Sequence, residues 1–192
     1  TLEVNIENLE DNKIKLEYVV TLGEKSKIRK ITFLGNDQFK DKKLKSLIIS
    51  EEYKFWKFLS GKKFLNQEFL NLDQRLLKNF YLNKGFYDVK INASFAKLTN
   101  ENEFELIYNI DENKKFYFDK TKLALPVDFD QENFKDLNKF INEIKGEPYS
   151  INIINNIIEK IEEIVLEEEY RSIEATVNED ISENKINLTF QV

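Results

Sequence analysis

The side chains here that could do chemistry are carboxylates and amines: 35 Asp and Glu with 29 Lys and Arg in 192 residues, and no His and no Cys. Without imidazole or thiol there is no histidine acid–base pair, thiolate nucleophile, disulfide or ordinary zinc site. The carboxylates are plentiful, but no catalytic motif accompanies them. No strand-to-helix nucleophile turn, Walker loop or Gly-rich dinucleotide fingerprint occurs. The five glycines, at 23, 35, 61, 85 and 146, all fall where turns or helix ends are expected. The chain reads as a non-enzyme with no cofactor and no metal, and its chemistry as that of surfaces.

Three surface features stand out. Between residues 27 and 63 there are 11 basic against 4 acidic side chains, with Lys40, Lys42, Lys43 and Lys45 at its centre. Such a stretch could meet nucleic acid, anionic lipid or an acidic protein, although a solvated face is the plainer reading. Phe55, Trp56 and Phe58 cluster ahead of Gly61. Exposed, they would anchor a partner; the commoner fate of such residues is to fold back onto their own core. Glu162, Glu163, Glu167, Glu168 and Glu169 crowd the end of a helical stretch, where the macrodipole disfavours negative charge. They suit a basic partner or an ordinary solvated face.

These features must be positioned by elements that repeat. Ile14-Leu16-Tyr18-Val20, Phe104-Leu106-Tyr108-Ile110 and Ile186-Leu188-Phe190-Val192 alternate apolar and polar residues in the same way, as half-buried strands do. Each follows another alternating stretch: Leu2-Val4-Ile6, Val89-Ile91-Ala93-Phe95 and Ile173-Ala175-Val177. Asn-, Asp- and Glu-rich turns separate the partners, so three hairpins are expected.

Only the second and third hairpins have a complete unit before them. In the middle one, Ile28, Ile31 and Phe33 form a strand that stops at Gly35-Asn36. A helix capped by Asn36 or Asp37 follows, with Phe39, Leu44, Leu47 and Ile48 on one face. A second helix starts near Asn66, carries Phe69, Leu72, Leu76 and Phe80, and ends at Gly85. In the last unit the strand is Phe116 to Leu125, broken by Pro126. One helix carries Phe134, Leu137, Ile141 and Ile144 and ends at Gly146; another, capped by Ser150, carries Ile154, Ile157, Ile158, Ile161 and Val165. The unit is strand–helix–helix–strand–strand, an α+β class. Its third strand should lie central in a mixed sheet covered on one face by two antiparallel helices. The orphan hairpin is marginal alone and should pack on the middle unit or on a neighbouring molecule. Linkers such as Asp111 to Lys115 hold neither Gly nor Pro, so the units should abut.

The run from Lys27 to Asn36, Lys-Ile-Arg-Lys-Ile-Thr-Phe-Leu-Gly-Asn, with Phe39 after it, resembles the POTRA domain. So does Leu76 to Val89, in which an aromatic pair, Gly85, an aromatic pair and Asp88 close the second helix. Phe55-Trp-Lys-Phe-Leu-Ser60 is similar to the inter-helix segment of the third such domain in outer-membrane protein assembly factors. The resemblance makes 1–23 the closing hairpin of a preceding domain, 24–113 a complete third-like domain and 114–192 a complete fourth-like one. The last departs from the pattern: Leu123-Ala-Leu-Pro126 replaces the strand end, and Glu169 stands where Gly85 does.

What the resemblance implies is a periplasmic scaffold of an outer-membrane protein, beside further POTRA domains and ahead of a membrane barrel that is absent here. Its partners would be unfolded outer-membrane proteins and accessory lipoproteins, with no nucleic acid. The client edge would be strand two of the middle unit, Asp88, Val89, Lys90, Ile91, Asn92, Ala93, Ser94 and Phe95, open to β-augmentation. Lys90 and Asn92 would blunt uncontrolled pairing. Phe55, Trp56 and Phe58 are the partner-docking candidates, and Lys40, Lys42, Lys43 and Lys45 the electrostatic one. Two alternatives stay open: a POTRA array of another secretion or translocation system, and a KH-like RNA-binding repeat. The second is disfavoured because Gly61-Lys-Lys-Phe64 lacks the second glycine of a GXXG loop. Methionine is absent even at position 1, which reads as an excised or processed piece.

Overall fold

A computed structural model describes residues 2–9, 13–20, 25–56, 60–99, 102–168 and 174–192. β1 (Leu2–Leu9) and β2 (Lys13–Val20) pair antiparallel, with Val4 opposite Tyr18 and Ile6 opposite Leu16. Packing of this hairpin on the middle unit is not found at the side chains described. Val4, Ile14 and Leu16, which share a face, are all exposed. A two-stranded ribbon has neither a third strand nor a helix to cover that face.

The middle unit contains β3 (Lys27–Leu34), α1 (Asp41–Lys45), α2 (Gln67–Leu82), β4 (Lys90–Thr99) and β5 (Glu103–Asp111). The sheet order is β3-β5-β4, with β3 parallel and β4 antiparallel to β5, so the third strand is central as expected. A register shift between Ile28 and Lys30 explains why Ile28 and Ile31 are both buried despite their odd spacing. At the end of β3, Gly35 has φ 77°, and a Cβ there would lie 2.1 Å from the Ile110 carbonyl oxygen. Only glycine fits.

Two helix expectations need correction. Asn36 and Asp37 do not cap α1, which begins at Asp41 with Lys40 as its N-cap. Instead the Asn36 side chain donates to the Phe39 carbonyl and to Asp41 at 2.9 Å each, closing a turn ahead of the helix. In α2 the buried stripe is Leu70, Asp73, Leu77 and Tyr81, one residue on from the expected face of Phe69, Leu72, Leu76 and Phe80. The broad apolar surface hid the true centre because that centre includes a carboxylate. Asp73, fully buried, accepts from the Ile49 N–H at 2.6 Å and the Tyr108 hydroxyl at 2.6 Å, and also from the Ser50 N–H. Burial and that bond push the Tyr108 hydroxyl far above its usual range. The α2 start is as read: Asn66 accepts from the Glu68 and Phe69 N–H groups.

The last unit repeats the plan with β6 (Tyr117–Ala124), α3 (Lys135–Glu143), α4 (Ile151–Glu167), β7 (Thr176–Ser182) and β8 (Lys185–Gln191), in sheet order β6-β8-β7. A 3-10 turn, Gln131–Phe134, leads into α3. Ser150 caps α4 by accepting from the Ile153 N–H, and Ile154, Ile157, Ile161 and Val165 fill the core. Each such side chain contributes roughly 2 kcal/mol by burial. Of the expected second strand, Ile173 lies outside the described residues and β7 begins at Thr176. Glu169 also lies outside them.

The two units share a built joint. The Asn83 side-chain oxygen accepts from Ser150 Oγ at 2.8 Å and from the Asn152 N–H at 2.9 Å, so a residue just past α2 helps cap α4. The Phe116 N–H donates to the Gly85 carbonyl at 2.8 Å. Tyr87 stacks edge-on against Tyr149, with centroids 4.9 Å apart, and lies 5.5 Å from Phe116. Burial and a hydrogen bond to Glu179 push the Tyr87 hydroxyl up to about 12.

Candidate functional site

Each sheet has two outer strands, and the fold treats them differently. The outer edge of β3 is covered. The Tyr53 N–H donates to the Ile28 carbonyl at 2.6 Å, Lys27 bridges to Phe64, and the Ile31 N–H donates to the Glu52 carboxylate at 3.0 Å. Burial works to raise the Glu52 pKa, but the bonds from Lys45 and Ile31 and the charge of Lys54 carry it below 4.5. The outer edge of β6 is covered by the turn after α3: Phe118 N–H donates to the Glu147 carbonyl and Gly146 N–H to the Phe118 carbonyl. Among the described residues no such backbone cover lies over β4 or β7.

β4 is the longer of the open strands, paired to β5 from Lys90 opposite Asp111 to Thr99 opposite Glu103. Its expected extent is corrected at the start: Asp88 lies in a turn and Val89, buried, precedes the strand. Ile91 and Ala93 are half-buried toward the core, while Lys90, Asn92 and Ser94 are exposed. Phe95 to Leu98 are all exposed, with Phe95 at 55% and Leu98 at 46%.

One hydrogen bond fixes which backbone groups face outward. Gln74 of α2 reaches the Ile91 carbonyl at 3.0 Å, so that carbonyl points away from β5. In an antiparallel pair a residue turns its N–H and C=O to the same side. Ile91, Ala93 and Phe95 therefore offer their backbone groups outward, and Lys90, Asn92 and Ser94 bond to β5. Between the edge and α2 runs a groove of about 320 Å³ lined by Gln74, Arg75, Lys78 and residues 89–92. Its rim is cationic.

Phe55 and Trp56 do not fold back onto the core. They are 79% and 61% exposed and pack edge-on against each other at 4.7 Å, with Lys54 5.8 Å from the Trp56 ring. Phe58 lies outside the described residues. The basic stretch is divided in use. Arg29 pairs with Glu103, Lys30 with Glu105 at 2.8 Å and Lys45 with Glu52 at 2.7 Å, and Lys63 is buried against Tyr53 and Phe64. Lys40, Lys42, Lys43 and Lys45 are exposed as expected, Lys43 lying over the Phe80 ring. Among the described residues no group of three or more His, Cys, Asp or Glu could hold a metal, and no helix is long and apolar enough to cross a membrane. Sequence reasoning missed Gln74 and Asp73, both polar residues on a helix read only for its apolar face.

A two-layer β-α-α-β-β unit, repeated head to tail with one edge open, defines the class. Residues 26–113 match the model of the POTRA family, described as surface antigen variable number repeat. Across nearly the whole chain the similarity is to outer membrane protein assembly factor BamA. The protein of that name from Buchnera aphidicola is 27% identical over 189 residues, 95% of this chain and 30% of that protein. The Neorickettsia risticii protein is 26% identical over 60% of this chain and 16% of its own length. The chain thus spans under a third of these relatives. Among solved structures, POTRA3-5 of Haemophilus influenzae BamA matches with a TM-score of 0.62 at 10% identity, over 99% of this chain and 70% of that one. That likeness speaks for the fold.

Proposed function

We propose that this chain is a periplasmic, non-catalytic scaffold of an outer-membrane protein assembly factor. Residues 24–113 and 114–192 act as complete POTRA domains, and 1–23 closes a preceding one. The middle domain receives unfolded outer-membrane proteins as an added strand on β4. The observation that carries this reading is the contrast between edges: β3 and β6 are bonded over by their own loops, while the outward groups of Ala93 and Phe95 are open. Backbone pairing gives affinity with little sequence preference, which suits a receiver of many different β-strands. Phe55 and Trp56 serve as the anchor for an accessory lipoprotein, as rigid exposed aromatics do at hot spots.

A backbone NMR titration with a short amphipathic strand peptide from a β-barrel protein tests the reading. Shifts on Lys90 to Phe95 that persist in high salt are expected. Shifts confined to Lys40 through Lys45 that vanish with salt, or no shifts at all, would overturn it.

A further inference from the structure

The acidic end of α4 finds a use in the helical layer of the last domain. α3 and α4 leave between them an outward groove of about 470 Å³. Its floor is Leu137, Phe140 and Ile164, and its rim includes Asp136, Glu163 and Glu167. On each helix these positions follow helical spacing: 136, 137 and 140 on α3, and 163, 164 and 167 on α4. Phe140 is 41% exposed although it sits in a helix whose other aromatic and aliphatic residues are buried. Among the described residues Asp136, Glu163 and Glu167 have no ion-pair partner, whereas neighbouring Lys139 pairs with Glu143 and Lys135 with Glu132. Among the described residues Lys160 is the single cation on the rim.

Glu163 and Glu167 repel each other one turn apart and oppose the dipole at the end of α4. An incoming cation would relieve both. We propose that this groove docks a short amphipathic helix of a partner protein, one whose apolar stripe is flanked by Lys or Arg. The occupant is helical because two parallel stripes at helical spacing present ridges and grooves that a third helix fills. It is basic because the rim sets Asp136, Glu163 and Glu167 against Lys160, in a domain with 17 acidic and 10 basic side chains. α3, at nine residues, spans about 13 Å, so two to three turns of partner suffice.

The test uses the whole chain and three fluorescent peptides: a leucine-striped, lysine-flanked helix, its glutamate-flanked counterpart, and a lysine peptide with the stripe scrambled. Anisotropy should show saturable binding of the first alone, with NMR shifts at Leu137, Phe140 and Ile164. Phe140→Ser and the pair Glu163→Lys with Glu167→Lys should each weaken it at least about tenfold, the scale of one lost hot-spot contact. The substituted side chains, Phe140, Glu163 and Glu167, are exposed, and unchanged circular dichroism verifies that the variants fold. Equal binding of the scrambled peptide, binding that survives both variants, or shifts on β4 or β7 would overturn the assignment. So would a concentration-dependent dimer abolished by Phe140→Ser, which would give the groove to a second copy.

Discussion

Asp73 is the residue on which the middle domain turns. It is an acceptor buried among three donors, so removing it strands all three. Asp73→Ala should cost roughly 3 kcal/mol or more in urea unfolding, since each buried donor left unmet costs about 1–3 kcal/mol. An effect below about 1 kcal/mol would mean that water replaces the carboxylate. Glu52 carries a pH dependence with a definite sign. Its folded pKa is lowered, so its contribution is complete above pH 4.5 and is lost as pH falls through the lower folded value. Hydrogen exchange at the Ile31 N–H should accelerate over that acid range, and Glu52→Gln should flatten the profile. Exchange that is insensitive to pH after correction for intrinsic rates would refute the role. Neither residue was legible as structural in the sequence. A carboxylate inside an apolar stripe, or one capping a sheet edge from a loop, has no period to betray it.

At the scale of elements, the open edge is a matter of parity. Ala93 turns its N–H outward and Ser94 turns its N–H to β5, so proline should separate the two sides of the strand. Ala93→Pro is expected to leave the fold intact and weaken strand-peptide binding by roughly fivefold or more, the loss of about one hydrogen bond. Ser94→Pro should break the β4–β5 ladder and lower the melting temperature instead. If both variants bind peptide as the parent does, β4 is not the receiving edge. That the second strand would be an edge was readable from the order strand–helix–helix–strand–strand. That β3, the other edge, would be closed was not, because the covering groups come from Glu52, Tyr53 and Phe64, in a stretch whose sequence has no apolar period.

At the scale of the whole molecule, the question is how the two domains hold their relative orientation. The joint uses an acceptor from one domain to cap a helix of the other, and at Gly85, with φ 94°, a Cβ would come within 3.3 Å of the Phe116 carbonyl oxygen and of Pro148. Asn83→Ala should cost about 1 kcal/mol, as a lost cap does, and should broaden the inter-domain orientation measured by residual dipolar couplings. Couplings that still fit one rigid body as well as the parent's would show that the Tyr87–Tyr149 stack suffices alone.

The sequence by itself determined the class, the repeat and the identity of the central strands, because period-2 alternation and glycine-terminated helices are local patterns that survive any arrangement in space. It also determined the absence of thiol and imidazole chemistry, which is a matter of inventory. Only the tertiary structure decided that Phe55 and Trp56 face solvent and that Asp73 lies inside. It alone closed β3 while leaving β4 open, and set an acidic rim around an apolar groove between α3 and α4. Each of these depends on which segment, distant in the chain, comes to lie beside it. That is a long-range relation that no window of neighbouring residues contains.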